Sequence, residues 1–207
     1  MKILFQGDSV TDCGRGNSGG CGYEQGLMGP GYPGLIKSRL SCDRPDAGFE
    51  FLNFGISGNR IVDLYARWRV DALNLSPDIL SILIGVNDTW RRYDENNPRT
   101  AEEFEAIYRG LLDEIKERLP GVPIVIMAPF VLEVPDKKHW ISEDLCFKQD
   151  AVRRIAADYA DVYIPLDEIF KAEFDRHEDI YYLSGDGVHP NETGHKLIAK
   201  SWIDAVK

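Results

Sequence analysis

Residues 2–12 read Lys2-Ile3-Leu4-Phe5-Gln6-Gly7-Asp8-Ser9-Val10-Thr11-Asp12. The segment Lys2–Gln6 is apolar through its centre without polar alternation, and it stops at a glycine followed by small polar residues. A strand of this kind is covered on both faces, as in a parallel sheet packed between helices. The same reading applies to Glu50–Phe54, Ile79–Ile84, Pro123–Ala128 and Val162–Pro165, so five strands are expected. Amphipathic stretches near Pro33–Leu40, Ile61–Leu73, Ala101–Leu119 and Glu143–Tyr159, with a last one after Asn191, alternate with them. That alternation predicts an α/β fold of three layers, a five-stranded parallel sheet with helices on both faces. In Ala101–Leu119 the residues Phe104, Ile107, Tyr108, Leu111, Leu112 and Ile115 recur every three or four positions, so one face of this helix must meet the sheet. Thr100 followed by Glu103 has the form of its capping box.

The chain has 207 residues, 43% hydrophobic and 28% charged, which suits one domain spanning residues 1–207. Lys+Arg of 24 against Asp+Glu of 34 gives a net charge of −10, which argues against a nucleic-acid or anionic-membrane partner. The first residues carry one basic side chain and a short apolar run, unlike an export signal, and no stretch approaches the ~20 apolar residues of a membrane span. A cytoplasmic protein is therefore expected. Cys13, Cys21, Cys42 and Cys146 contain no C-x-x-C pair and read as reduced thiols rather than a disulfide framework.

In an open parallel sheet, ligands bind outside the carboxyl ends of the strands. Strand one ends in Gly7-Asp8-Ser9-Val10-Thr11-Asp12, strand two in Gly55-Ile56-Ser57-Gly58-Asn59 and strand three in Gly85-Val86-Asn87-Asp88. Near the C-terminus, Asp186-Gly187-Val188-His189-Pro190 opens the last helix and sets a carboxylate three residues before an imidazole. These four segments, in this order and across essentially the whole chain, resemble the four motif blocks of the SGNH hydrolases, the GDSL esterase/lipase superfamily.

The resemblance implies a flavodoxin-like SGNH hydrolase fold and a division of labour. Ser9 would attack the ester carbonyl, with His189 taking its proton and later passing it to the leaving alcohol. Asp186 would hold the other ring nitrogen of His189 and stabilise the imidazolium. The oxyanion would be met by the backbone N–H groups of Ser9 and Gly58 and by the Asn87 amide. Glycine would suit position 58 by leaving the backbone open to the substrate.

A closer resemblance is carried by Gly7-Asp8-Ser9-Val10-Thr11-Asp12-Cys13-Gly14-Arg15, by Gly55-Ile56-Ser57-Gly58-Asn59 with Asp63-Leu64 and Ala66-Arg67-Trp68, and by Ile84-Gly85-Val86-Asn87-Asp88 with Trp90-Arg91 and Tyr93-Asp94. These look like the intracellular acetyl xylan esterase branch. Membership would imply removal of acetyl groups from xylo-oligosaccharides inside the cell, no cofactor or metal, and homo-oligomer formation. Gly185 departs from that branch, where a tryptophan is expected before the aspartate. The alternatives are an esterase or lysophospholipase acting on longer acyl chains and a non-catalytic flavodoxin-like binding or signalling module. A receiver domain would want a lysine after strand five, where this chain has Leu166-Asp167-Glu168.

Aromatic residues cluster near the expected cleft. Trp90, Tyr93, Trp140 and Tyr182, with Asp8 beside the nucleophile, are the expected substrate-side residues, because flat rings stack on the C–H faces of sugars. Asp8 is also expected to hold its own loop by hydrogen bonds. Trp68 and Trp202 read as core, Arg91-Arg92 as a solvated pair, and His195 as a packed or surface histidine rather than a metal ligand. The Gly-rich stretch 13–34 holds a dinucleotide-like pattern at Gly14–Gly19 and an elbow-like pattern at Gly16–Gly20. Neither has the strand-to-helix context its chemistry needs, so a mobile loop at the cleft edge is expected.

Overall fold

The computed structural model describes residues 1–15 and 27–206. Five strands, β1 (Lys2–Gly7), β2 (Glu50–Gly55), β3 (Ile79–Leu83), β4 (Ile124–Met127) and β5 (Val162–Ile164), form one sheet in the order β2-β1-β3-β4-β5. Every pairing is parallel. Gly7 lies opposite Gly55 on one side and Leu83 on the other, so the first three strands end level and deliver their following residues to the same edge.

The strands alternate faces although both faces are apolar, as parallel strands between two helical layers must. Leu4, Leu80, Ile82, Ile124 and Ile126 face a core built with α3 (Ile61–Asp71), α5 (Ala101–Arg118) and α7 (Cys146–Tyr159). Ile3, Phe5, Leu83, Val125 and Met127 face the opposite core, built with α2 (Tyr32–Asp43), α8 (Leu166–His177) and α9 (Glu192–Ala205). Trp68 and Trp202 are both buried core residues, and each indole N–H has an acceptor: the Leu111 carbonyl at 3.0 Å and the Ser81 hydroxyl at 3.1 Å. On α5, Phe104, Tyr108, Leu111, Leu112 and Ile115 are buried while Ile107 is partly so. Thr100 and Glu103 close the capping box with two bonds of 3.2 Å.

The short helix α1 (Ser9–Asp12) is pressed against the ends of β1 and β2. A Cβ on Gly55 would stand 2.5 Å from the Asp12 nitrogen, and one on Gly7 would stand 2.4 Å from the Leu83 carbonyl oxygen. Glycine at both strand ends is what lets α1 approach this closely.

Each strand ends within one residue of its expected bound, but the helices need corrections. The stretch expected as one helix over Glu143–Tyr159 begins earlier, at α6 (Lys138–Trp140), and passes through a π-helical turn, Ile141–Leu145, before α7. The helix expected over Ile61–Leu73 ends at Asp71, and Leu73–Leu75 tightens into a 3-10 turn. Among the described residues three helices were not anticipated: the short α1, α4 (Val86–Asp94) and α8. The buried face of α4 is mostly polar, Asn87, Asp88 and Thr89, so it leaves no apolar period in the sequence. Among the described residues Cys13, Cys42 and Cys146 are free thiols, and no helix is long and apolar enough to cross a membrane. Both glycine patterns and the loop expectation fall largely on residues 16–26, outside the described residues.

Candidate active site

The turn from β1 into α1 starts with Asp8, whose carboxylate caps the helix by accepting the Val10 N–H at 3.0 Å. Asp8 is only 1% exposed, so it holds the turn from inside and does not line the cleft as expected. Burial pushes its carboxyl up to about 7, against the lowering effects of the Val10 N–H and the charge of His189. Ser9 follows as the first residue of α1, half-buried, with its N–H at a helix start where no intrahelical acceptor exists.

The Ser9 Oγ stands 2.9 Å from His189 Nε2, and His189 Nδ1 stands 2.7 Å from Asp186 Oδ2. The second oxygen of Asp186 accepts the backbone N–H groups of Val188 at 2.9 Å and His189 at 2.7 Å. With Nδ1–H donating to the carboxylate, Nε2 is left to accept the serine proton. Burial alone would raise the Asp186 carboxyl, but the His189 ring and the two backbone donors outweigh it and hold the group well below the usual carboxylate range. The same hydrogen bond raises the His189 imidazolium above its ordinary value, with burial opposing and the charges of Asp186 and Asp8 adding to the rise.

The D-x-x-H turn is built around a residue that sequence reasoning missed. Ser184, fully buried, accepts the Gly187 N–H at 2.9 Å and donates to the His189 carbonyl at 2.7 Å. The Leu132 N–H adds a bond to the Gly187 carbonyl at 2.8 Å, fixing the turn to the segment after β4. A buried serine two residues before an acid is an ordinary sequence feature, so no pattern singled it out.

Gly58 and Asn87 face the same strand edge. Gly58 has φ +83, a conformation that favours glycine, and a Cβ there would meet nothing within 4 Å. Its glycine is therefore required by the backbone conformation, and the protein itself leaves the space beside it open. The Asn87 amide gives one hydrogen to the Asn59 carbonyl at 3.1 Å and retains a second. The Ser9 N–H, the Gly58 N–H and the Asn87 amide are three donors that follow strands β1, β2 and β3, which end level at one edge of the sheet.

Of the expected aromatics, three come together. Trp90 lies 5.7 Å from His189 and 5.3 Å from Trp140, and Tyr93 stacks on Trp140 at 5.3 Å with the ring planes 1° apart. Lys137, not anticipated, brings its ammonium 5.9 Å from the Trp90 ring and 5.6 Å from that of Trp140. Beneath them the Thr89 hydroxyl donates to Asp144 at 2.7 Å, and Asp144 pairs with the fully buried Lys148. The π-helical turn carries Asp144 into this position. Tyr182 does not join the cluster: its ring stacks on His177 of α8 at 3.7 Å and packs on the core. Arg91 and Arg92 are both ion-paired, with Asp94 and Asp144 respectively.

His195 is buried at the start of α9, accepting the Tyr32 N–H at 3.2 Å through Nδ1 and meeting Cys13 Sγ at 3.2 Å through Nε2. It is a packed histidine, and burial pushes it down to about 4. Among the described residues, no group of three or more His, Cys, Asp or Glu side chains is placed to hold a metal ion.

Comparison with known proteins identifies the family and agrees with the fold. The profile of the GDSL-like Lipase/Acylhydrolase family matches residues 5–197. The acetylxylan esterase of Geobacillus stearothermophilus is 34% identical over 210 residues, covering 98% of this chain and 92% of that protein. A variant structure of an acetyl-xylooligosaccharide esterase from Geobacillus superposes with a TM-score of 0.86 at 31% identity, covering 99% of this chain and 93% of the other. An alpha/beta hydrolase enzyme from the metagenome of Lake Arreo, Spain, superposes with a TM-score of 0.84 at 28% identity, covering 98% and 93%.

Proposed function

This chain belongs to the GDSL-like lipase/acylhydrolase family and is a carboxylic ester hydrolase, and on that premise we propose that it removes O-acetyl groups from xylo-oligosaccharides through an acyl-enzyme on Ser9. The reading is carried by one observation, the unbroken hydrogen-bonded chain Ser9–His189–Asp186, with contacts of 2.9 and 2.7 Å. His189 draws the Ser9 proton as Oγ bonds to the acetyl carbon. The resulting oxyanion is received by Ser9 N–H, Gly58 N–H and the Asn87 amide. His189 then gives its proton to the sugar oxygen, the C–O bond breaks, and the sugar leaves with Ser9 acetylated. Water, deprotonated by the same imidazole, releases acetate and restores Ser9. The scheme uses no cofactor or metal. Trp90, supported by Trp140 and Tyr93, is the ring against which the sugar packs.

Support for the acetyl-sugar substrate comes from the Geobacillus relatives, named for acetylxylan and acetyl-xylooligosaccharide. A second reading, hydrolysis of longer acyl chains, is favoured by the open space at Gly185, where a Cβ would meet nothing within 4 Å. Rates on matched acetyl, butyryl and octanoyl nitrophenyl esters and on acetylated xylo-oligosaccharides, run beside Ser9→Ala, separate the two. Acetyl preference with release from the sugar is the expected result. Faster turnover of the octanoyl ester would select the second reading, and absence of Ser9-dependent turnover would reject both. Cytoplasmic location and a homo-oligomer belong to the same proposal, tested by cell fractionation and light scattering.

A further inference from the structure

The Gly58 N–H is one of the three donors in the proposed mechanism, yet glycine contributes no side chain to fix its own position. The turn Ile56–Arg60 that carries it is held at both ends by carboxylates from neighbouring strand ends. Before Gly58, Asp12 Oδ2 accepts the Ser57 hydroxyl at 2.6 Å and the Ser57 N–H at 3.3 Å. Asp12 closes the same four-residue helix that Ser9 opens. Its other oxygen meets Arg15 Nε at 3.3 Å, and Arg15 donates to the Gly55 carbonyl at 2.8 Å, so the preceding residue is gripped as well. After Gly58, Asp88 Oδ2 accepts the Ile61 N–H at 3.0 Å, at the head of α3. Asp88 is adjacent to Asn87, whose amide holds the Asn59 carbonyl.

From this geometry we infer that Asp12 and Asp88 are positioning residues that set the Gly58 N–H at a fixed place relative to Ser9 and Asn87. The inference rests on the proposed oxyanion role of Gly58 and Asn87. Each carboxylate is rigidly joined to another donor, Asp12 through α1 to Ser9 and Asp88 through the chain to Asn87. The third donor is thereby tied to the other two by side chains, across two separate strand ends. Asp88 is fully buried; its Oδ1 has no hydrogen-bond partner among the described residues and meets the charge of Arg99, whose Nε lies 3.9 Å away. Burying a carboxyl this way is costly, and burial pushes it up to about 7. The Ile61 N–H is the one hydrogen bond it makes among the described residues. Donor placement matters because an oxyanion hole acts by prior organisation, and a misplacement of about 1 Å costs on the order of 10²-fold in rate.

The test uses Asp12→Ala, Asp12→Asn, Ser57→Ala, Asp88→Ala and Asp88→Asn in the full chain, with Asn87→Ala as the reference for a lost donor. Steady-state kinetics on nitrophenyl acetate are measured together with affinity for a small alkyl boronic acid, which forms a tetrahedral adduct on the serine. Expected for Asp12→Ala is a fall in kcat of about 10- to 100-fold with KM changed less than about threefold. Boronate affinity falls in step and the acid limb of the pH profile stays in place, because His189 and Asp186 are untouched. Asp12→Asn keeps one acceptor oxygen for Ser57 and recovers most of the loss. Joining Asp12→Ala to Asn87→Ala gives less than the product of the single losses, since both act on one oxyanion. Wild-type kcat and boronate affinity in folded Asp12→Ala and Ser57→Ala would overturn the inference, as would a loss confined to KM. Asp88→Asn likewise keeps an acceptor oxygen for the Ile61 N–H and is expected to retain most of kcat, whereas Asp88→Ala is expected to lose kcat as Asp12→Ala does. Wild-type kcat and boronate affinity in a folded Asp88→Ala would remove Asp88 from the inference. If Asn87→Ala itself leaves kcat unchanged, the proposed oxyanion site has failed instead, which separates the two claims.

Discussion

The indole of Trp90 and the imidazole of His189 lie 5.7 Å apart, centroid to centroid, with their planes tilted by 51°. Behind Trp90 stand Trp140 and Tyr93, and Trp140 is buried while Trp90 is part-exposed. Trp90 and Tyr93 are both part-exposed, and Trp90 is the one beside His189, so in the proposed function it is the ring that meets the sugar. A sugar face packed on one ring contributes about 0.5–1.5 kcal/mol, roughly a 2- to 13-fold effect on binding. Trp90→Ala is expected to raise KM for acetylated xylo-oligosaccharides by about that factor while changing kcat/KM for nitrophenyl acetate less than about twofold. Parallel kinetics on the two substrates check this. Equal losses on both would assign Trp90 to the support of His189 rather than to the sugar.

The pH dependence has a definite sign. In the proposed mechanism His189 serves as base only when neutral, and its hydrogen bond to Asp186 raises the imidazolium above the ordinary value of 6.5. Catalysis is therefore expected to fall as pH drops through a midpoint higher than that of a free imidazole. Asp186→Asn removes the main cause of the rise, so the midpoint moves down, and the plateau falls by up to about 10⁴ because the ring loses its tautomer. Profiles of kcat/KM for the two proteins test both statements, and an unshifted midpoint in the variant would contradict the first.

The strands were legible because burial on both faces leaves runs such as Ile79–Ile84, which have no other reading. The serine, glycine, asparagine and Asp–His segments were legible because each falls directly after a strand or before a capped helix. What the sequence hid was of another kind. Polar α4 packs its inward face through Asp88, Thr89 and Asp144, contacts set by tertiary structure and not by periodicity. Asp8 looks the same in sequence whether it faces substrate or core, and only the close packing of α1 decides for the core. Tyr182 sits four residues before Asp186, yet its ring is drawn to His177 because the 3-10 turn Ile180–Tyr182 aims it at α8. Ser184, Asp12 and Lys137 belong to common residue types with no motif of their own, and only distances reveal them.

Ser9 Oγ and His189 Nε2 stand 2.9 Å apart, and in the proposed mechanism neither does its part without the other. Ser9→Ala and His189→Ala are each expected to remove nearly all the Ser9-dependent rate, and the double variant to lose no more than the worse single one. Rates of the three variants on nitrophenyl acetate make the cycle. Losses that multiply would mean that the two side chains act independently and that another group is the base for Ser9.

Two glycines are expected to respond to alanine with opposite signs. Gly110 lies inside α5, and a Cβ built on it meets nothing within 4 Å. Alanine there avoids the entropy cost of glycine in a helix, about 1 kcal/mol, and is expected to raise Tm by about 2–4 °C with unchanged activity. At Gly55 a Cβ would stand 2.5 Å from the Asp12 nitrogen and 2.8 Å from the Thr11 carbonyl carbon, both backbone atoms of the helix that begins at Ser9. That helix has to move for the methyl group to fit, so Gly55→Ala lowers Tm and lowers kcat together. Calorimetry and kinetics on the two variants check the pair. A Gly55→Ala protein of wild-type Tm and kcat would mean that α1 can shift without disturbing Ser9, and the close packing of β2 against α1 would then have no catalytic consequence.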